Sequence, residues 1–245
     1  MYNSLSNNNT IVKIKLVLIG NSAAGKTCIV QRVVNNIFNV NNSSTIGAAY
    51  MMYSIDKNLK IEMWDTAGQE RFYSLLPMYA RGAEVIIIVI DIDKNIDEQF
   101  VKWSKYIEDN KKLFLPHFKI FLIFNKYDLN TKFEIPNVIL EQTQFIYISI
   151  VSAKSAHNID KLKTYLEVVA KKIVEERAIH MHLHANLNSN VGNVGNVGNV
   201  GNNSNIRDIG ENKKDTIFGS KFSNMNINIS EYGDKMKKYY DETHC

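Results

Sequence analysis

No apolar run in this 245-residue chain is long enough to cross a membrane; the longest clear one, Val85 to Ile90, has the length of a buried strand. Cysteine is nearly absent. The only two, Cys28 and Cys245, exclude a disulfide framework, and Cys28 reads as a small core residue on a helix. Residues Met1 to Thr10 are rich in Asn and Ser and carry neither the charged nor the apolar region of a signal peptide, while Tyr2 stands where N-myristoylation needs Gly. The chain is therefore expected to finish translation in the cytosol. The net charge of +4 is scattered, with no basic stripe interleaved by aromatics, which argues against nucleic acid as a partner.

What is present is a chain 45% hydrophobic, enough for one domain with a sizeable core and a tail. Strand-like runs alternate with helix-like ones: Lys13 to Ile19 then Lys26 to Asn36, Ala83 to Ile90 then Asp97 to Lys112, Phe118 to Phe124 then about Thr131 to Thr143, Phe145 to Ser149 then Ile159 to Glu176. Such alternation predicts a parallel sheet with helices on both faces. Between the first helix and Ala83, the pieces Gly47 to Ile55 and Leu59 to Asp65 are joined by Asp56-Lys57-Asn58, a hairpin connection. The expected fold is an α/β, six-stranded, mostly parallel sheet with one antiparallel edge strand.

Residues 1–11 are expected to be a flexible extension, 12–179 the folded domain, and 180–245 a low-complexity, largely disordered tail. Four Val-Gly-Asn triplets from Val191 to Asn202 have too much Gly for a helix and too little apolar mass for a core. His180, His182 and His184 alternate at the end of the last helix and are expected to be ordinary polar residues, not metal ligands.

Gly20-Asn21-Ser22-Ala23-Ala24-Gly25-Lys26-Thr27 follows the first strand and opens the first helix, so in this order it is a P-loop. Its backbone N–H groups would curl around phosphates, Lys26 would reach the outer phosphates, and the Thr27 hydroxyl would ligate Mg²⁺; Cys28 follows directly. Asp65 ends the second hairpin strand, where a carboxylate can hold Mg²⁺ through a water. Gly68 lets its N–H approach a terminal phosphate, and Gln69 can orient an attacking water. Asn125-Lys126-Tyr127-Asp128 ends a later strand, at the carboxyl edge where open α/β sheets bind ligands. The Asp128 carboxylate can accept both N1–H and the 2-amino group of guanine, Lys126 can lie along the base, and Asn125 can tie loops together. Ser152-Ala153-Lys154 supplies a turn whose backbone N–H can meet guanine O6.

These motifs, in this order, resemble the Ras-type small GTPases over roughly residues 12 to 177. Ile46 to Tyr50, Trp64 to Phe72 and Tyr79 to Ala83 look like the Rab family, and Ser44 to Ala49 with Leu76 to Tyr79 is similar to its early-endosome subgroup. The resemblance implies a GTP/GDP switch with Mg²⁺, in which Thr45 touches Mg²⁺ and the γ-phosphate only in the GTP state. It implies that Tyr50, Trp64 and Tyr79 present that state to effectors, and that Gln69, Lys26, Thr45 and Gly68 carry hydrolysis. Tyr50 stands where the family usually has Phe, and Ala80 where a second Tyr is usual. Rab proteins usually end in paired cysteines; here a single Cys245 is the candidate for prenylation.

No arginine lies between Val33 and Thr45 to act in cis, so hydrolysis is expected to be slow until a GTPase-activating protein supplies an arginine in trans. An exchange factor, effectors at the two switch loops, and the cytosolic face of an endosomal or other endomembrane complete the expected partners. Competing readings are a GTP-bound scaffold with little turnover and a P-loop ATPase or metabolite kinase, the latter disfavoured by Asp128.

Overall fold

The computed structural model describes residues 11–191. The Asn-rich start, the Val-Gly-Asn triplets after Val191 and Cys245 lie outside the described residues. The elements are β1 (Val12–Gly20), α1 (Lys26–Asn35), β2 (Ala48–Ser54), β3 (Leu59–Thr66), a 3₁₀ stretch (Glu70–Leu75) running into α2 (Leu76–Ala80), β4 (Val85–Asp91), α3 (Ile96–Asp109), β5 (Lys119–Asn125), α4 (Asn137–Leu140), β6 (Phe145–Ile150) and α5 (Ile159–Val191). The strands form one sheet in the order β2-β3-β1-β4-β5-β6, antiparallel only between β2 and β3. This is the expected sheet with its antiparallel edge strand.

Alternation along each strand divides the core in two. Ile14, Leu16, Leu18, Ile87 and Val89 face α1 and α5, meeting Ile29, Val33, Leu162 and Leu166. Val17, Ile19, Ile86, Ile88 and Ile90 face the other way, onto Leu76, Trp103, Ile107 and Ile139. Every residue of β4 is buried, which is why its sequence is a continuous apolar run. The hairpin turn is held by Asp56, whose Oδ1 accepts from the backbone N–H of Asn58 at 2.7 Å and of Leu59 at 2.9 Å. Helix α3 starts at Asn95, whose side chain accepts from Glu98 N–H, with Asp97 and Glu98 in its first turn.

Two expectations need correction. The helix expected over about 131–143 shrinks to α4, because Pro136 disfavours the helical backbone at Ile135, and Phe133 and Ile135 instead pack against the second core as irregular chain. The last helix runs to Val191 instead of fading near Arg177; no Gly or Pro interrupts the sequence from Ile159 until Gly192. The helical stretch from Glu70 to Ala80 was also not anticipated.

The far half of α5 is fastened to the sheet at the end remote from the strands' carboxyl edge. Glu84, just before β4 and 7% exposed, accepts from Arg177 Nε at 2.8 Å and from Arg177 Nη2, while its other oxygen accepts from Lys15 N–H at 3.2 Å. Lys119 Nζ, at the start of β5, pairs with Glu176 at 3.2 Å. Removing the arginine leaves a buried carboxylate uncompensated. Arg177→Ala is expected to cost about 1–3 kcal/mol, below the ~3–5 kcal/mol of a fully buried pair because solvent reaches the guanidinium. Urea denaturation checks this: the midpoint should fall clearly for Arg177→Ala and far less for Lys13→Ala, which breaks the exposed pair with Glu62.

Candidate functional site

Gly20, the loop 22–25, Thr66, Asp91, Asn125 and Ser152 all sit at the carboxyl edge of the sheet, so that the ends of β1, β3, β4, β5 and β6 open onto one surface. At Gly20 the chain passes so close to β4 that a Cβ would lie 2.4 Å from the Val89 carbonyl oxygen. Ala23 at φ 61 and Gly25 at φ 93 turn the chain into α1. Lys26 is buried and curls back over this loop, Nζ donating to the carbonyls of Gly20 at 2.8 Å and Asn21 at 2.9 Å. Burial pushes its pKa down to about 8, opposed by the nearby Asp65 carboxylate.

Beside the loop is a cleft of about 220 Å³, walled by the P-loop, by Val40 and Asn42 to Thr45, and by Thr66, Gly68 and Gln69. On its wall Thr27 Oγ1 donates to Asp65 Oδ2 at 2.6 Å, Thr45 Oγ1 reaches the same oxygen at 3.2 Å, and the two hydroxyls are 2.9 Å apart. Asp65 Oδ1 is buried without a partner among the described residues, and burial raises the acid's pKa against the pull of Thr27, Lys26 and Thr45. This set of hard oxygen donors with an unsatisfied carboxylate oxygen fits Mg²⁺. It is incomplete alone, as suits an ion that keeps waters and shares phosphate oxygens. Among the described residues no three His, Cys, Asp or Glu side chains gather into a metal cage of their own.

Gly68 rides on the P-loop: a Cβ there would lie 2.5 Å from the Asn21 carbonyl and from Ser22 N. Gln69 lies between this cleft and a second of about 670 Å³ that runs from Asn21 and Ser22 past Arg71 and Tyr73 to Glu98 and Lys102 of α3. Cys28 packs partly buried against the first core, its sulfur accepting from Asn42 Nδ2 at 3.3 Å.

On the opposite side the chain just past β5 and β6 meets the P-loop. Asn125, 2% exposed, donates through Nδ2 to Ala24 O at 2.9 Å and accepts from Ala153 N–H at 3.2 Å, tying the P-loop to the 152–154 turn. Asp128 is held by the Ser152 hydroxyl at 2.5 Å, with Lys154 Nζ 3.7 Å from its other oxygen. The Ser152 hydroxyl in turn accepts from Ser155 N–H at 3.0 Å. Such a carboxylate, already oriented, can accept two parallel N–H bonds from a flat base.

Three contributors escape sequence reasoning. Asp91 ends β4 as Asp65 nearly ends β3, and its carboxylate grips Lys126 Nζ at 2.6 Å, fixing a lysine whose backbone is left-handed at φ 76; its position after an apolar strand is a signal that points to it. Trp103 of α3 donates from Nε1 to Asn21 Oδ1 at 3.0 Å and meets the Tyr73 ring edge-on at 5.7 Å. Arg32, in the last turn of α1, reaches the carbonyls of the 152–154 turn. No local pattern marks either of these two.

Tyr50, Trp64 and Tyr79 form one continuous aromatic group. Tyr50 and Trp64 are paired across β2 and β3 with ring centroids 5.4 Å apart, and Trp64 and Tyr79 are 6.0 Å apart. The Tyr50 hydroxyl donates to Glu62 at 3.1 Å. Among the described residues no helix is long and apolar enough to cross a membrane.

Comparison with known proteins agrees with this geometry. The sequence model of the Ras family matches residues 15–175. The Ras-related protein Rab-5A of Dictyostelium discoideum is 37% identical over 175 residues, covering 68% of this chain and 84% of the relative. With its sheet order, its P-loop and this match across most of the folded part, the chain belongs to the Ras family of small GTPases.

Proposed function

We propose that the chain is a Rab-like GTPase that binds GTP and GDP with Mg²⁺, hydrolyses GTP slowly, and switches endosomal membrane traffic. The observation that carries this reading is the convergence of two separate loops on one phosphate cleft: Thr45 bonded to Asp65 beside Thr27, and Gly68 pressed on the P-loop backbone. Likeness to a Rab-5A supports the trafficking role, and the contiguous Tyr50, Trp64 and Tyr79 supply an effector surface.

In this reading Thr27, Thr45 and Asp65 would hold Mg²⁺, which when bound would supply positive charge to offset that developing on the outer phosphates. Lys26 adds its positive charge at the same oxygens, and the loop N–H groups fix the phosphates in line. Gln69 orients the attacking water from the cleft's edge. The 670 Å³ opening beside Gln69, lined by Glu70 and Glu98, offers an approach for a partner's arginine. When the γ-phosphate leaves, Thr45 and Gly68 lose their common partner and both loops relax, which disperses the effector surface. Cys245, prenylated, together with Lys235, Lys237 and Lys238, anchors the protein to an anionic leaflet.

Single-turnover hydrolysis tests the reading. The rate without partner is expected on the order of 10⁻⁴ s⁻¹, rising by roughly 10³ to 10⁵ with a GTPase-activating domain. A rate near 1 s⁻¹ without partner would overturn the need for an arginine in trans.

A further inference from the structure

We infer that Arg32 is a positioning residue for base recognition: it aims the backbone N–H of Lys154 at the carbonyl oxygen of a bound guanine. The inference rests on the nucleotide reading above and adds to it a residue in α1 that no motif contains.

The guanidinium makes a planar fork. Its Nε donates to Ala153 O at 2.8 Å, Nη2 to Lys154 O at 3.0 Å, and Nη1 to Asn36 O at 2.9 Å, where α1 ends in a left-handed residue. One cation therefore holds two successive carbonyls of the turn, and its third edge caps the helix that begins at Lys26. The Phe38 ring, 5.9 Å away, limits its swing. Lysine, with a point charge, cannot reproduce this fork.

The consequence follows from peptide geometry. In a trans peptide the C=O of one residue and the N–H of the next point in opposite directions. The Ala153 carbonyl is held toward Arg32, so the Lys154 N–H is turned to the other side. The two neighbouring amides are already occupied: Ala153 N–H by Asn125 Oδ1 at 3.2 Å and Ser155 N–H by the Ser152 hydroxyl at 3.0 Å. Among the described residues the Lys154 N–H has no acceptor. The same turn fixes the Asp128 carboxylate through the Ser152 hydroxyl, and the Lys154 side chain approaches its other oxygen. A donor next to a double acceptor matches the edge of guanine, whose O6 adjoins N1–H and the 2-amino group. Arg32 thereby couples the helix at the phosphates to the loop at the base.

The test compares dissociation of preloaded GDP and 6-thio-GDP from the full chain. The thio analogue keeps N1–H and the 2-amino group and replaces only O6 by sulfur, a weak acceptor. In the wild type 6-thio-GDP should leave faster than GDP. In Arg32→Ala, GDP release should accelerate about tenfold, the effect of one charge-assisted hydrogen bond, and the preference for GDP over 6-thio-GDP should shrink several-fold. Arg32→Lys, which keeps the stem over Phe38 but bonds one carbonyl at a time, should fall between. Equal acceleration of both nucleotides, or unchanged rates, in Arg32→Ala and Arg32→Lys would overturn the inference and leave Arg32 a structural residue. A wild type that retains neither nucleotide would instead overturn the GTPase reading itself.

Discussion

Asp128→Asn should move the protein from guanine to xanthine nucleotides, with GTP affinity falling on the order of 10⁴-fold. The wild-type carboxylate offers only acceptors, one oxygen steadied by Ser152 and the other 3.7 Å from Lys154. Guanine supplies two donors to match. An asparagine turns one acceptor into an NH₂ that faces the 2-amino group, donor against donor, and leaves both without partners. Xanthine carries a carbonyl at that position and restores the pair. Competition between GTP and XTP for wild type and variant measures the exchange, and unchanged GTP affinity in Asp128→Asn would remove Asp128 from the base site. The folded state should be little affected, since the Ser152 hydroxyl still finds a carbonyl oxygen.

Gln69→Leu should leave nucleotide affinity unchanged and abolish most of the acceleration given by a GTPase-activating domain, a loss of roughly 10³ to 10⁵. The geometry separates the two effects. In the proposed site Lys26, Thr27 and the P-loop backbone would hold phosphate, whereas the Gln69 amide, among the described residues, takes no hydrogen bond and borders both clefts. Its backbone carbonyl accepts from Phe72 N–H at 3.0 Å, starting the 3₁₀ stretch, and a leucine preserves that bond. Only the group that can orient water is lost. Single-turnover hydrolysis with and without the activating domain, beside GDP and GTP affinities, checks both halves; full stimulation of Gln69→Leu would place the catalytic water elsewhere.

The sheet was legible because its chemistry is local. A parallel strand covered on both faces has to be a short apolar run, and Val85 to Ile90 or Phe118 to Phe124 can be little else. Asp56-Lys57-Asn58 announced the hairpin in the same way, through a side chain that bonds its own turn. The irregular chain before α4 was misread because the strand-helix alternation suggested a helix over about Thr131 to Thr143, and the steric effect of Pro136 on Ile135 was not weighed. The 3₁₀ stretch and α2 were missed since their apolar residues serve packing against β3 and α3 more than any helical repeat. In the site, motifs located the residues proposed to touch a nucleotide. They did not reveal what holds those atoms. Trp103 and Asn21 are 82 positions apart, and Arg32 and Ala153 are 121 apart. Such partners meet only once the sheet order is known.

The pair between Arg177 and Glu84 also determines how the domain bears load. A pull on α5 reaches the sheet at Glu84 and, through Glu176, at Lys119. Both anchors lie where β4 and β5 begin, roughly 20 Å along the strands from the residues at their carboxyl ends. Tension entering there runs lengthwise into β4 and β5, against a ladder of hydrogen bonds loaded in shear.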